Sequence, residues 1–219
     1  MNSRMILIFF VAMLSLMGCN STYTSKKRGY YKIPFPAHEY KPYDDAEMPF
    51  RFEYPVYAKV VRDSTFFYQG TDDKYWVNVD FPDYNAKIFL SYKPIGGRSI
   101  YKVKTAAGTY RDSIGSNDFD KLVNDAYNLT SKNEVVATSI RDSVFTTPNG
   151  ITGVFFKVGG NAATARQFFV TDTTHNFLRG ALYFDATPNA DSLEPVNLFL
   201  QQDIYRIINS LQWKAANSK

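Results

Sequence analysis

The 219 residues carry 25 basic and 21 acidic side chains, a net charge of +4, one cysteine and two histidines. So small an excess, on a chain long enough to bury a core, argues against a nucleic-acid partner, and a single cysteine excludes an intramolecular disulfide framework. Aromatic residues make up 16% of the chain, including 16 Tyr and 18 Phe, which favours a substantial sheet core.

At the start of the sequence, Arg4 precedes the apolar run from Met5 to Met17, the form of an export signal too short to anchor stably. Leu16-Met17-Gly18-Cys19 has the form of a lipobox, so residues 1–18 are expected to be a lipoprotein signal peptide and Cys19 the lipidated residue. An ordinary secretory signal with an incidental cysteine is the alternative. Against it, Cys19 has no partner cysteine, and a lone thiol in an exported protein needs an explanation. Acyl chains contribute about 0.8 kcal/mol per buried methylene, so several on one residue hold a protein on a membrane. Residues 19–29 then read as a flexible lipidated tether, and 30–219 as a single domain. Asn20 is not an aspartate and no acidic run follows Cys19, so the expected location is the cell envelope, lipid-anchored and facing the periplasm, on either membrane.

From Tyr30 to Pro49 the prolines 34, 36, 42 and 49 oppose helix, and the segment is expected to lie extended on the domain surface. Phe50, Phe52 and Tyr54 alternate with Arg51 and Glu53, a half-buried strand ended by Pro55 and resumed through Val56 to Arg62. Residues 65–68 and 75–81 flank Gly70-Thr71-Asp72-Asp73 and predict a hairpin, followed by a strand over 86–93. Pro94 to Gly115 reads as a long loop with a brief strand-like run at 100–103. A cap at Ser116 or Asn117 opens a helix with Phe119, Leu122, Val123, Ala126 and Leu129 on one face. Strands over 135–145, 151–158, 165–172 and 177–184, separated by turn sequences, predict an antiparallel meander. The last helix, capped at Asp191 or Ser192, carries the stripe Leu193, Val196, Leu200, Ile204, Ile207 and Leu211. The fold class is therefore α+β, an antiparallel sheet flanked by helices.

The inventory for catalysis is thin. His38, in the Pro/Tyr-rich segment, and His175, in a turn, read as surface residues without metal-ligand spacing, and no nucleophile elbow, phosphate loop or zinc-binding helix occurs. Neither a catalytic set, a metal nor a cofactor is expected. Asp44-Asp45 and Asp72-Asp73 read as solvated turn acids, and Gly159-Gly160-Asn161 as a hairpin turn in preference to an anion nest. Asp followed by Ser or Thr recurs at Ser64, Ser113, Ser143, Thr173 and Ser192 and resembles the O-glycosylation acceptor of exported Bacteroidetes proteins. Ser113 and Ser143 are the first candidates. For partner contact the candidates are the basic tether and its aromatic continuation, Arg28, Tyr30 and Tyr31, with packing of this segment on its own domain as the alternative.

Long stretches carry a family resemblance. They include Pro49-Phe50-Arg51-Phe52-Glu53-Tyr54-Pro55, Trp76-Val77-Asn78-Val79-Asp80-Phe81-Pro82, Gln167-Phe168-Phe169-Val170-Thr171-Asp172 and Phe177-Leu178-Arg179-Gly180-Ala181-Leu182-Tyr183-Phe184. On these the chain resembles the gliding-motility lipoprotein GldD family of Bacteroidetes. The resemblance implies a non-enzymatic component of the gliding and type IX secretion machinery, with machinery proteins as partners and the membrane contacted through Cys19. The order of elements is similar to that of the PsbP/Mog1-like sandwich, an analogy of fold that transfers no function. Two competing readings are a small-ligand or glycan binding module with an aromatic pocket near Tyr75, Trp76 and Phe81, and an enzyme in which a histidine meets acidic residues in a pocket.

Overall fold

The structure, a computed structural model, describes residues 32–62 and 75–214. The described residues from Pro34 onward belong to one compact unit. The strands are β1 (Tyr40–Tyr43), β2 (Phe50–Pro55), β3 (Lys59–Arg62), β4 (Val77–Phe81), β5 (Ala86–Pro94), β6 (Arg98–Lys104) and β7 (Tyr110–Ser116). After helix α1 (Phe119–Ser131) come β8 (Ala137–Thr146), β9 (Thr152–Gly160), β10 (Arg166–Thr171) and β11 (Asn176–Phe184), then helix α2 (Ala190–Ser210) and the short β12 (Gln212–Trp213).

Seven strands form an antiparallel sheet in the order β3-β4-β5-β11-β10-β9-β8. The expected meander is its β8 to β11 half. Its turns use residues that tolerate the left-handed region: Gly150 (φ +77°), Gly160 (φ +86°) and Thr173 (φ +66°). In the last turn Asp172 Oδ1 accepts from the backbone N–H groups of Thr174, His175 and Asn176, which fixes the chain reversal.

Register assigns the two sheet faces. On one face lie Val77, Val79, Ile88, Leu90, Phe168, Val170, Leu178 and Leu182, all nearly inaccessible. They are covered by α2 and by a small sheet of order β1-β2-β12, through pairs such as Phe155 with Tyr205 and Phe50 with Tyr92, ring centroids 5.0 and 5.8 Å apart. On this face Gly180 lies opposite Phe168. A methyl group at Gly180 would come within 2.2 Å of the Phe168 ring, so only glycine admits that ring against the strand. The other face carries α1, whose Leu122 and Ala126 pack on Val154, Phe156, Phe169 and Phe177.

Several sequence expectations change. The segment 94–115 is not a loop: Pro94 ends β5, and β6 and β7 form a two-stranded hairpin turning at Gly108 (φ +79°). β4 pairs with β3, while residues 65–68, the expected hairpin partner, lie outside the described residues. The caps also shift. Asp118 holds the N-cap position of α1 with its carboxylate accepting from Ser116 Oγ and not from the helix N–H groups, and Asn189 caps α2, its side chain accepting from the Ser192 N–H. The α1 boundary thus falls one or two residues after the anticipated position and the α2 boundary two or three before it, because several neighbouring Ser, Asn and Asp residues suit an N-cap and local pattern does not choose among them.

Candidate functional site

α1 covers only part of its sheet face. Beside it, over β4, β5 and β11, opens a cleft with a volume of about 1140 Å³. Alternation places every second residue of those strands in its floor: Asn78 and Asp80 on β4, Phe89, Ser91 and Lys93 on β5, Arg179, Ala181 and Tyr183 on β11. Leu122, Asp125 and Leu129 of α1, with Lys132 just past its end, form one wall. Phe89 and Tyr183 meet edge to face at 5.4 Å, and Lys87 Nζ lies 3.5 Å from Asp80 Oδ1.

Arg179 occupies the middle of this floor, paired across the sheet with Ser91 on β5 and Phe169 on β10. Its guanidinium donates to Gln167 Oε1, and burial holds its pKa below the ordinary arginine value. Gln167, 1% exposed, also accepts from Thr130 of α1 at 3.3 Å and donates through Nε2 to Thr164 at 2.7 Å. The amide thus fixes both the guanidinium and the end of α1.

A second polar cluster lies on the opposite face. Asp203 of α2 has a fully buried side chain that accepts from Tyr57 at 2.6 Å, from Tyr40 at 3.2 Å and from His38 Nδ1 at 2.8 Å. Burial raises the Asp203 pKa, and the hydrogen bonds from Tyr57, His38 and Tyr40 work against that shift. The phenol of Tyr40 is pushed up to about 12 and that of Tyr57 higher still, burial being the largest cause for each. Phe199, one turn earlier on α2, stacks on Phe35, His38 and Tyr57. The pair His38 and Asp203 is enclosed by these aromatic rings, so the arrangement clasps the extended segment 34–43 onto α2.

The expected surface position of His38 is therefore corrected: its ring is 23% exposed and bonded to a carboxylate. His175 does lie exposed in its turn. Trp76 and Phe81 line the cleft as expected, whereas Tyr75 is not part of its lining and packs edge-on against Tyr92 at 5.6 Å. Asp44 is exposed and Asp45 half-buried, and both form ion pairs, Asp44 with Lys214 and Asp45 with Arg62. Ser143 is exposed on β8 and Ser113 half-buried on β7. Cys19, Arg28, Tyr30, Tyr31, Ser64 and Asp72-Asp73 lie outside the described residues.

Sequence reading missed Asp203, Arg179 and Gln167. Asp203 had a visible signal: it lies three residues after Leu200 and four before Ile207, on the apolar stripe of α2. Arg179 and Gln167 had none, since an alternating strand does not disclose which of its polar residues faces a cleft. Among the described residues no group of His, Cys, Asp and Glu is arranged to hold a metal ion, and no helix is long and apolar enough to cross a membrane.

The family model for the gliding motility lipoprotein GldD matches residues 20–213, nearly the whole sequence. The chain belongs to the GldD gliding motility lipoprotein family. The match spans both polar clusters and the cleft. No curated protein sequence matches the chain. Among solved structures it is similar to the solution structure of cyanobacterial PsbP (CyanoP) from Synechocystis sp. PCC 6803, at 11% identity and a TM-score of 0.42, over 81% of this chain and 94% of that one.

Proposed function

We propose that this GldD-family lipoprotein is held in the cell envelope by lipid on Cys19, facing the periplasm, and acts in assembly of the gliding and type IX secretion machinery by binding proteins and not by catalysis. Membership of the family over residues 20–213 carries this reading. The exposed apolar side chains on the molecule's periphery support it. Tyr110 and Ile114 of the β6–β7 hairpin are 66% and 71% exposed, and Val144 on β8, one of the two edge strands of the seven-stranded sheet, is 79% exposed. An edge strand presents unpaired backbone groups that a partner strand can complete.

Crosslinking and affinity capture from the native envelope, beside a Cys19→Ala control, tests the reading. Recovery of motor or secretion subunits, lost in the control, is the expected result. Normal adhesin secretion and spreading after deletion of the gene, in a strain without a paralogue, would remove it. The tether residues Arg28, Tyr30 and Tyr31 remain candidate contacts. Ser113 and Ser143 remain candidate O-glycosylation acceptors, with Ser143 the more accessible. Intact mass from the native host tests this, and an unmodified mass after allowance for lipid refutes it.

A second reading, a small-ligand or glycan binding module, is favoured by the cleft, which joins an apolar lining to a few convergent polar groups. Retention of a small molecule by the captured protein, in place of machinery subunits, would favour it.

A further inference from the structure

Two arginines lie on neighbouring strands of the sheet and face opposite sides. Arg166 on β10 reaches α2, where its guanidinium donates to Glu194 at 3.0 Å and Gln201 at 2.8 Å. Its charge is answered by a carboxylate of the protein. Arg179 on β11 points to the cleft, and among the described residues no carboxylate forms an ion pair with it; its partner is the neutral amide of Gln167. Of the acids that line the cleft, Asp80 is beside Lys87 at 3.5 Å, and neither Asp125 nor Asp185 forms an ion pair with Arg179. A guanidinium withdrawn from water without a counter-charge is unfavourable, and its planar fork matches a carboxylate or phosphate.

Phe89, Phe177, Tyr183 and Leu129 give this space an apolar share, beside the polar Ser91, Lys93, Asp125 and Lys132. A volume of about 1140 Å³ exceeds what an isolated small anion fills and lies just above the range of ligand clefts, roughly 300–1,000 Å³.

We propose that the cleft between α1 and the β4-β5-β11 part of the sheet binds an acidic amphiphile, one carboxylate or phosphate on an apolar body, with Arg179 holding the acidic group. Gln167 positions the guanidinium by accepting from it while being fixed by Thr130 and Thr164. The apolar body lies along Phe89 and Tyr183. This inference rests on the ligand-binding reading of the cleft and specifies the chemistry of its occupant.

The test is titration calorimetry on the full chain in nanodiscs of neutral lipid, with empty discs as the blank. The probes are octanoate, octyl phosphate, octanol and inorganic phosphate. Octanoate and octyl phosphate are expected to bind, octanol and inorganic phosphate about tenfold or more weakly, and Arg179→Gln to weaken the two acidic amphiphiles by about tenfold without changing octanol. Ser91→Phe, which fills the floor opposite Arg179, is expected to abolish binding of all; it decides the matter if Arg179→Gln does not fold. Equal affinity for octanol and octanoate would overturn the anion assignment and leave the ligand-binding reading standing. Inorganic phosphate binding as tightly as octyl phosphate would overturn the apolar half of the proposal, the occupant then being a free anion. Absence of binding by every probe would overturn the acidic-amphiphile proposal and leave the glycan form of the ligand-binding reading standing.

Discussion

His38 Nδ1 lies 2.8 Å from Asp203 Oδ1, a contact across 165 positions of sequence that joins the extended entry segment to the buried face of the last helix. Tyr57 and Tyr40 supply two further donors, so the carboxylate is the shared acceptor for three side chains from one stretch of chain. Removing it leaves those donors without their acceptor. Asp203→Ala is expected to lower stability by about 1–3 kcal/mol in urea unfolding, and Asp203→Asn, which keeps one carbonyl acceptor, by less.

The Asp203 cluster has a defined pH dependence. The folded-state pKa of Asp203 is raised above its ordinary value of 3.8, by burial first. A raised acid binds its proton more tightly in the folded state, so its contribution is fully present below the unfolded pKa and is lost as pH rises through the folded one. Stability of the parent relative to Asp203→Asn is therefore expected to be greatest in acid and to decline as pH rises above about 4. A constant difference across that range would contradict the assignment.

Asp172 behaves oppositely. Burial works to raise its pKa, but together the N–H groups of Asn176, His175 and Thr174 and the Asn176 side chain hold it below 3.8. Its contribution is present above that value and is lost as pH falls through the folded pKa. Asp172→Ala is expected to lower stability at neutral pH by about 1–2 kcal/mol and to flatten the acid limb of the stability profile, read by thermal melting.

Gly180→Ala tests the packing of the central strands. The added methyl would meet the Phe168 ring at 2.2 Å, and Phe168 is 1% exposed with little room to retreat. A loss of about 1–3 kcal/mol is expected from urea unfolding, with partial recovery in Gly180→Ala combined with Phe168→Leu.

Val144→Lys addresses the edge strand. Val144 is 79% exposed, so the change is expected to leave stability within about 0.5 kcal/mol. Crosslinking to envelope partners should decline if β8 is the docking edge. Unaltered crosslinking yield would shift attention to Tyr110 and Ile114 on the hairpin.

Much of the fold was legible before any coordinates. The four strands of the meander, the two helices and the pattern of Phe50 and Phe52 were readable because period 2 and period 3.6 are local signals, and because Gly150, Gly160 and the Asp172 turn separate them. The β6–β7 hairpin was missed because its solvent-facing residues, Tyr110 and Ile114 among them, break the polar-outside pattern that marks a strand.

The sequence by itself determined most of the elements, the α+β class, the family and the candidate lipid attachment at Cys19, since each is written in contiguous residues. Tertiary structure alone decided the rest. It made His38 the partner of Asp203, gave Arg166 a carboxylate and Arg179 only an amide, and left the floor of β4, β5 and β11 uncovered beside α1. The physical reason is common to all three. Whether a polar side chain is solvated, paired or aimed into a cleft depends on what the other elements place opposite it, and periodicity within one element carries no record of that.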